Sequence, residues 1–307
     1  MKTPINQCSQ GYLYVATGEK YVREAALSAN SLKTVDPNAN ITLVTDCSTD
    51  KMPFDRVEIE ALAGRKSWNE EAEAGEQAYG KNWESALQYK VKHMYAPSPY
   101  EKTLFLDTDT YIYGSCHELF ELLDYFDICI SIAPGERAFP HIDGKPLRAY
   151  IPYNTGVVAY RKSEKVQQFF EAWDRIYESK FTNTDRLRKG ESDQTAFMEA
   201  WLEVDVKIYV IPHSMWNARL PFFMLLNDSV RIVHGRHNDY EKLRTKINAF
   251  RGHRCWNPQQ EKCMYRRKNL KYYAERMSSL WKDFCESPVS ERLTSKVFKK
   301  DRTLTEV

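Results

Sequence analysis

Residues 104–114 read LFLDTDTYIYG, a short apolar run that breaks into two aspartates one residue apart, Asp107 and Asp109. Leu104, Phe105 and Leu106, bounded by polar residues, have the character of a short buried strand. The aspartates then sit where that strand leaves its sheet, and in open α/β sheets ligand crevices lie at the carboxyl ends of strands. Two neighbouring carboxylates repel, and burying either as a charge is costly without a partner. A divalent cation resolves that conflict, and oxygen ligands suit Mg2+ or Mn2+. Asp-x-Asp also occurs in solvated turns and helix caps, so the rest of the chain has to discriminate.

Upstream, GYLYVA at 11–16 is a strand signal. Val22, Ala25, Ala26, Ala29 and Leu32 fall at helical spacing over 19–32, and ITLVT at 41–45 is a second strand, ending at Asp46. Strand, helix and strand make a βαβ unit, which implies a parallel sheet. An acidic stretch at 70–76, EEAEAGE, reads as an exposed loop. Leu87, Val91, Met94 and Tyr95 predict a helix over 83–95, stopped by Pro97 and Pro99. Downstream, DICISIA (127–133) and GVVAY (156–160) are further strands. Ser163 is a good N-cap for a helix whose Val166, Phe169, Phe170, Trp173, Ile176 and Tyr177 form one core-facing stripe. A second helix is expected near Ser192, followed by strands at 205–211 and 230–234, the latter ending in His234-Gly235. The simplest parse is one α/β domain over 1–250 and a basic, aromatic helical extension over 251–307.

Composition supports a packed protein: 307 residues, 42% apolar and 13% aromatic. The net charge of +2 hides an asymmetry, because residues 236–307 carry 18 Lys and Arg against 9 Asp and Glu, while the first 235 carry 26 against 33. A basic end on an acidic body suggests an acidic partner, and an anionic membrane surface, a phosphorylated acceptor or nucleic acid would each fit the charge, although no nucleic-acid partner is expected; a solvated or sheet-packed helix is the plainer reading. Trp256, Tyr272, Tyr273 and Trp281 lie in that region. The N-terminal stretch has no apolar run of signal-peptide length, and no window could span a bilayer, which leads to the expectation of a cytoplasmic protein, at most peripheral to a membrane. Of the seven cysteines, Cys255 and Cys263 are the closest pair, and with His253 they match no compact zinc spacing.

Four elements belong beside the aspartates. Lys90, on the helix before the strand, offers a point charge to a phosphate. Asn154-Thr155-Gly156 opens a strand, with a glycine that permits close backbone approach and an amide suited to sugar hydroxyls. Asp193-Gln194 occupies the first turn of a helix, and His234 ends a late apolar strand, RIVHG, where imidazole nitrogen can face a metal. Taken singly, a surface lysine, a turn, a helix-dipole charge and a loop histidine are the plainer readings.

The order of these elements, anchored by FLDTDTYI, NTGVVAYRKS and SDQTAF, resembles the GT-A glycosyltransferases, in particular the family 8-like enzymes, over about residues 11–245. The resemblance implies a Rossmann-like, mixed but mostly parallel sheet with flanking helices. It also implies a nucleotide-sugar donor, most often a UDP-sugar, with Mn2+ or Mg2+. Carried over by position, Asp107, Asp109 and His234 would ligate the metal. Lys90, Asp107 and Thr108 would contact the donor, Ala16, Thr17 and Tyr21 would line the nucleoside pocket, and Asn154, Asp193 and Gln194 would surround the transferred sugar. Two departures stand out: the run after the histidine is HGRHNDYEKL, leaving Arg236, His237 and Lys242 as candidate diphosphate cations, and Thr17-Gly18 stands where an aspartate is usual.

The implied chemistry is leaving-group activation, with retention favoured. In an inverting enzyme Asp193 or Glu191 would serve as base. A phosphatase of the haloacid-dehalogenase type, with Asp107 as nucleophile, is the rival, but Tyr111 stands where that pattern wants Thr or Val, and the motif lies far from the first strand. A sugar-nucleotide-binding module without catalysis is a third reading. Acceptor choice, glycan, lipid-linked or protein, would rest on loops such as 60–82 and 135–150.

Overall fold

The run QGYLYVA forms strand β1 (Gln10–Ala16), with six of its seven residues buried. A strand apolar on both faces is the mark of a central position in a helix-covered, mainly parallel sheet. The computed structural model describes residues 9–49, 53–61, 81–133, 141–142, 145–147, 149–150, 152–181, 192–264, 277–279 and 282. After β1 come α1 (Gly18–Val35), β2 (Ile41–Thr45), β3 (Arg56–Ile59), α2 (Lys81–His93), β4 (Lys102–Leu106), β5 (Thr110–Ile112) and α3 (His117–Leu122). Next are β6 (Ile128–Ile132), β7 (His141–Ile142), β8 (Lys145–Pro146), β9 (Tyr153–Arg161), α4 (Glu164–Phe181), α5 (Asp193–Glu203) and β10 (Ile208–Ile211). They are followed by α6 (His213–Trp216), β11 (Ala218–Arg219), β12 (Met224–Leu226), β13 (Ile232–His234), α7 (Tyr240–Ile247), β14 (Arg254–Asn257) and β15 (Lys262–Met264).

Seven strands form the main sheet in the order β10-β6-β9-β4-β1-β2-β3. Every neighbouring pair is parallel except those of β9, which runs against both β4 and β6. The sheet is thus mixed and mostly parallel, as expected, and the reversal of β9 has a functional consequence. The start of β9 lies at the carboxyl ends of its neighbours, so Asn154, Thr155 and Gly156 meet the aspartates that leave β4. The Asp107 N–H donates to the Gly156 carbonyl at 2.8 Å. On the other side the pairing jumps from Ile130↔Val158 to Ser131↔Asn154, which takes residues 155–157 out of register with β6. An irregularity of this kind re-aims side chains.

Alternate residues of β1 enter two cores. Tyr12, Tyr14 and Ala16 pack with Ala25, Ala29 and Leu32 of α1, while Leu13 and Val15 pack with α2, α4 and α5 through Tyr89, Phe169, Trp173 and Phe197. The expected α4 stripe is buried throughout. Ser163 Oγ accepts from the Val166 N–H at 3.2 Å, and Ser192 caps α5 in a reciprocal box with Thr195.

Two three-stranded sheets, β11-β13-β5 and β12-β14-β15, extend the first compact unit to Met264. The hairpin after residue 250 pairs with β12 and buries Trp256 in a third core with Leu226, Leu243 and Ile247. Residues 251–264, expected in an extension, are therefore part of this unit. The second unit is 265–307, of which only 277–279 and 282 are described. The 70–76 stretch, Glu191, Tyr272, Tyr273, Trp281 and most of the candidate acceptor loops lie outside the described residues. Cys255 is level with Met264 and Cys263 with Trp256, which puts the two thiols on opposite faces of the hairpin and rules out a shared zinc. Among the described residues, no helix is long and apolar enough to cross a membrane.

Candidate active site

Three chain segments bring Asp107, Asp109 and His234 together. Asp107 follows β4 directly. The turn that begins with it is closed by Thr110, whose N–H and Oγ1 both donate to the Asp107 carbonyl, at 3.2 and 2.8 Å. Asp109 ends that turn, and β5 then pairs antiparallel with β13, setting Thr110 opposite His234. Gly235 donates its N–H to the Asp109 carbonyl at 2.9 Å and holds φ at +127°. A side chain there would be strained, which explains the His-Gly pair.

His234 Nε2 lies 3.2 Å from Asp109 Oδ1 and 3.7 Å from Asp107 Oδ2. One ligand atom from each of the three residues lies within 4.8 Å of the others. The imidazole is 3% exposed, whereas the two carboxylates keep 26% and 20% of their side-chain surface, so the triad opens to solvent on the carboxylate side. Two oxygens and one imidazole nitrogen facing a common point form a donor set that suits Mn2+ or Mg2+. Gly156 makes the packing possible, because a Cβ there would come within 2.1 Å of His234 Cε1.

The environments of the two carboxylates differ. Burial pushes the Asp107 carboxyl above its ordinary pKa, more than Lys90 and His234 draw it down, and Asp109 and Asp193 push the same way as burial. Burial also raises Asp109, but His234, Arg219 and Arg236 more than offset it and hold that carboxyl well below the usual range.

Lys90 sits behind Asp107. Its Nζ is 2.8 Å from Asp193 Oδ2 and 3.5 Å from Asp107 Oδ1, and it donates to Thr155 Oγ1 at 3.3 Å. Burial alone would lower the pKa of this ammonium, and the two carboxylates reverse that and raise it. Thr155 Oγ1 in turn donates to Asp193 Oδ2 at 2.6 Å. Lys90, Thr155 and Asp193 are thus one buried network, and the reading of Lys90 as a surface lysine fails. Gln194, next to Asp193, is half-buried.

Asn154 Oδ1 accepts from the Gly156 N–H at 3.1 Å and from Asn217 Nδ2 at 2.8 Å. Asn217 is fully buried, and it also touches Ser131 Oγ and His234 Nδ1, each at 2.8 Å. Neither Asn217 nor Ser131 stood out in the sequence. Each is a lone polar residue in a short run, and its partners lie between 17 and 86 positions away.

At the mouth, Arg236 forms a two-pronged pair with Glu24, Nε to Oε1 at 2.6 Å and Nη2 to Oε2 at 2.9 Å, and lies 5.8 Å from the Tyr21 ring centre. Thr108 Oγ1 donates to the same Glu24 at 3.2 Å. His237 Nε2 is instead 3.4 Å from Glu261, and Lys242 is exposed on α7. Ala16 and Thr17 are buried at the end of β1. Gly18, at φ +73°, opens α1 and donates its N–H to Asp46 Oδ1 at 2.8 Å, so an aspartate from β2 serves the segment where the sequence has Thr17-Gly18. A cleft of about 360 Å3 beside them is lined by Glu19, Val22, Arg23, Cys47, Ser48 and Thr49.

No protein-family model and no curated protein matches the sequence. Solved structures similar in chain trace include mouse xyloside xylosyltransferase 1, at 16% identity over 75% of this chain and 98% of that one, with a TM-score of 0.46. The galactosyltransferase LgtC in complex with donor and acceptor sugar analogues is 14% identical over 74% of this chain and 87% of its own, with a TM-score of 0.44. The glycosyltransferase GlyE of Streptococcus pneumoniae TIGR4 is 14% identical over 75% of this chain and 56% of its own, with a TM-score of 0.42. These are partial likenesses in the path of the chain, at low identity.

Proposed function

We propose that this protein is a metal-dependent glycosyltransferase that moves a sugar from a nucleoside-diphosphate sugar, UDP being the expected nucleotide, to a hydroxyl of a glycan, lipid-linked or protein acceptor. The observation that carries the reading is the convergence of Asp107, Asp109 and His234 at the carboxyl end of β4, with Lys90 buried behind them.

In the transfer, the bond from the anomeric carbon to the diphosphate oxygen breaks, and its electron pair stays on the diphosphate. The acceptor oxygen bonds to the anomeric carbon and its proton is lost. Asp107, Asp109 and His234 would hold Mn2+ or Mg2+, which when bound would supply Lewis-acid stabilisation to the leaving diphosphate. Lys90, fixed by Asp193 and Thr155, adds a positive charge that needs no reorganisation during reaction. Of the three candidate cations that follow His234, Arg236 is the one whose charge acts on Asp109, and it is assigned to the diphosphate. Ala16, Thr17 and Tyr21, with the neighbouring cleft, take the nucleoside, and Thr108 lies on the donor path. Asn154 and Gln194 border the transferred sugar with Asp193, whose carboxylate is engaged by Lys90 and Thr155. That engagement suits a residue that orients the site in a retaining transfer better than one that strips a proton from the acceptor.

The direct test is Asp109→Asn. The expected result is loss of Mn2+-dependent UDP-sugar hydrolysis and transfer with the far-UV spectrum and melting behaviour of the parent, and unchanged turnover would sink the assignment. Thermal stabilisation by UDP with Mn2+ is expected of a transferase, whereas trapping by beryllofluoride at Asp107 would point to a phosphatase. Contact of the basic C-terminal region with anionic membrane is a separate proposal. It fails if removing residues 265–307 leaves liposome co-sedimentation unchanged.

A further inference from the structure

We infer that Asn217 is a positioning residue: relaying the direction of one backbone N–H, it fixes which nitrogen of His234 faces the metal and which end of the Asn154 amide faces the donor. A backbone N–H is a donor whose polarity cannot be reversed. The Gly156 N–H points at Asn154 from 3.1 Å, so the atom it meets is an acceptor, Oδ1. The Asn217 atom 2.8 Å from that same oxygen must then donate, which makes it Nδ2. Reversing the Asn217 amide would set two carbonyl oxygens against each other in a fully buried site, where an unmet polar contact is most costly.

With Nδ2 spent on Asn154 and on Ser131 Oγ, the remaining Asn217 atom is Oδ1, an acceptor 2.8 Å from His234 Nδ1. Nδ1 therefore carries a hydrogen, which leaves Nε2, the nitrogen that faces Asp107 and Asp109, as the one whose lone pair a metal can take in place of a proton. A partner on the far nitrogen of a ligating histidine is the usual means of fixing ring orientation and basicity. Here that partner is a neutral amide whose own orientation is copied from the backbone through a second asparagine.

The same chain of bonds acts on Asn154. Both donors to its Oδ1 are internal, and no hydrogen bond of its Nδ2 is present among the described residues. The amide can therefore offer a ligand a donor. This end of the inference, and its bearing on the metal, rest on the proposed function. The hydrogen on Nδ1 follows from the protein's own geometry alone.

The test reads the tautomer directly. Long-range 1H–15N spectra of 15N-histidine-labelled protein are recorded without metal and with the diamagnetic ion Mg2+, with His234→Gln identifying the resonance, and Mn2+ affinity is measured by calorimetry. Wild type is expected to show a hydrogen on Nδ1 with or without metal, and a bare Nε2 once Mg2+ has taken the place of the hydrogen that faces Asp109. Asn217→Leu, an apolar near-isostere, is expected to lose that preference and to bind Mn2+ about 10-fold to 100-fold more weakly. Asn217→Asp keeps an acceptor for Nδ1–H and loses the donor to Asn154. It is expected to keep the tautomer and near-parental Mn2+ affinity while UDP-sugar binding weakens. A wild-type spectrum with a bare Nδ1 overturns the inference, as does a folded Asn217→Leu with unchanged Nδ1 protonation and Mn2+ affinity. If Asn217→Leu does not fold, the wild-type spectrum still decides. A correct tautomer in a protein that binds no UDP-sugar leaves Asn217's role at His234 standing and removes the proposed function instead.

Discussion

The backbone of Gly156 lies against the imidazole of His234 so closely that a Cβ on Gly156 would stand 2.1 Å from His234 Cε1, 2.8 Å from Nδ1 and 2.7 Å from Asp107 Oδ2. One small residue on β9 thus sets the spacing between two candidate metal ligands that arrive from β4 and β13. The ring has little room to retreat, because Asn217 holds its Nδ1 and it is almost wholly buried. Gly156→Ala is therefore expected to overpack the site, at about 1–3 kcal/mol of stability. It should also weaken Mn2+ binding by about 10-fold or more, since misplacing the ring acts on the ligand directly. Denaturant unfolding and calorimetric titration check the two effects. An alanine variant with parental Mn2+ affinity would show that the histidine is not a ligand.

Lys90 and Asp193 form a buried pair at 2.8 Å, 7% and 3% exposed. Lys90→Met leaves a carboxylate in the interior with Thr155 as its other partner, and breaking a buried pair from one side costs about 3–5 kcal/mol. Asp193→Asn leaves the ammonium with Asp107 at 3.5 Å and should cost less. The double variant Lys90→Met/Asp193→Asn is expected to regain much of the stability lost by Lys90→Met, without regaining transfer activity. Urea unfolding of the three variants measures the coupling, and full additivity would mean that the pair contributes nothing as a pair.

Asp127 ties three strands together. Its Oδ1 accepts from Arg161 Nε and Nη2 at 2.9 and 2.7 Å, and its Oδ2 from the Lys207 N–H at 2.8 Å. Burial raises this carboxyl, but the Lys207 N–H and the Arg161 guanidinium outweigh it and hold its pKa below the ordinary value. A depressed folded-state pKa gives stability that is present above the unfolded value of about 3.9 and lost as pH falls through the folded one. Wild type should exceed Asp127→Asn by about 1–3 kcal/mol above pH ~5, with the difference closing at lower pH. A gap that is constant from neutral to acid pH would show that the charge is not what Asp127 contributes.

How much of this was legible in the sequence follows from the range of each signal. The apolar run that ends in Asp107, the N-cap Ser163, the helix start near Ser192 and the α4 stripe are local patterns, and the elements they predict are present. His234-Gly235 stood out because a histidine ends a β-run and a glycine follows. Strand direction is not a local property, and so the reversal of β9, which carries Asn154 and Gly156 to the aspartates, had no signature of its own. Strand β5, with three residues, is too short for periodicity to register, yet its pairing sets Asp109 beside His234. Glu24, Ser131 and Asn217 are single polar residues whose partners are distant along the chain. Only the folded chain shows that they hold the groups that the motifs supply.

The Arg236 guanidinium is paired with Glu24 through two bonds and helps to hold the Asp109 carboxyl low, whereas His237 meets Glu261 and Lys242 is exposed. As a charge beside the triad it can follow a diphosphate, and a half-exposed pair with Glu24 is weak enough to exchange, at about 0–1 kcal/mol. Arg236→Ala is expected to raise KM for the UDP-sugar about 10-fold, equivalent to about 1.4 kcal/mol of binding, with melting temperature little changed. Arg236→Lys should recover part of that loss, because it restores the charge without the two-pronged geometry. Lys242→Ala should leave KM within about twofold, as befits an exposed rim charge that acts mainly through long-range attraction. Initial rates at saturating Mn2+ and two salt concentrations separate these cases. Equal losses for Arg236→Ala and Lys242→Ala, both vanishing at high salt, would mean that the basic residues after His234 act only as a diffuse field and that none of them contacts the donor.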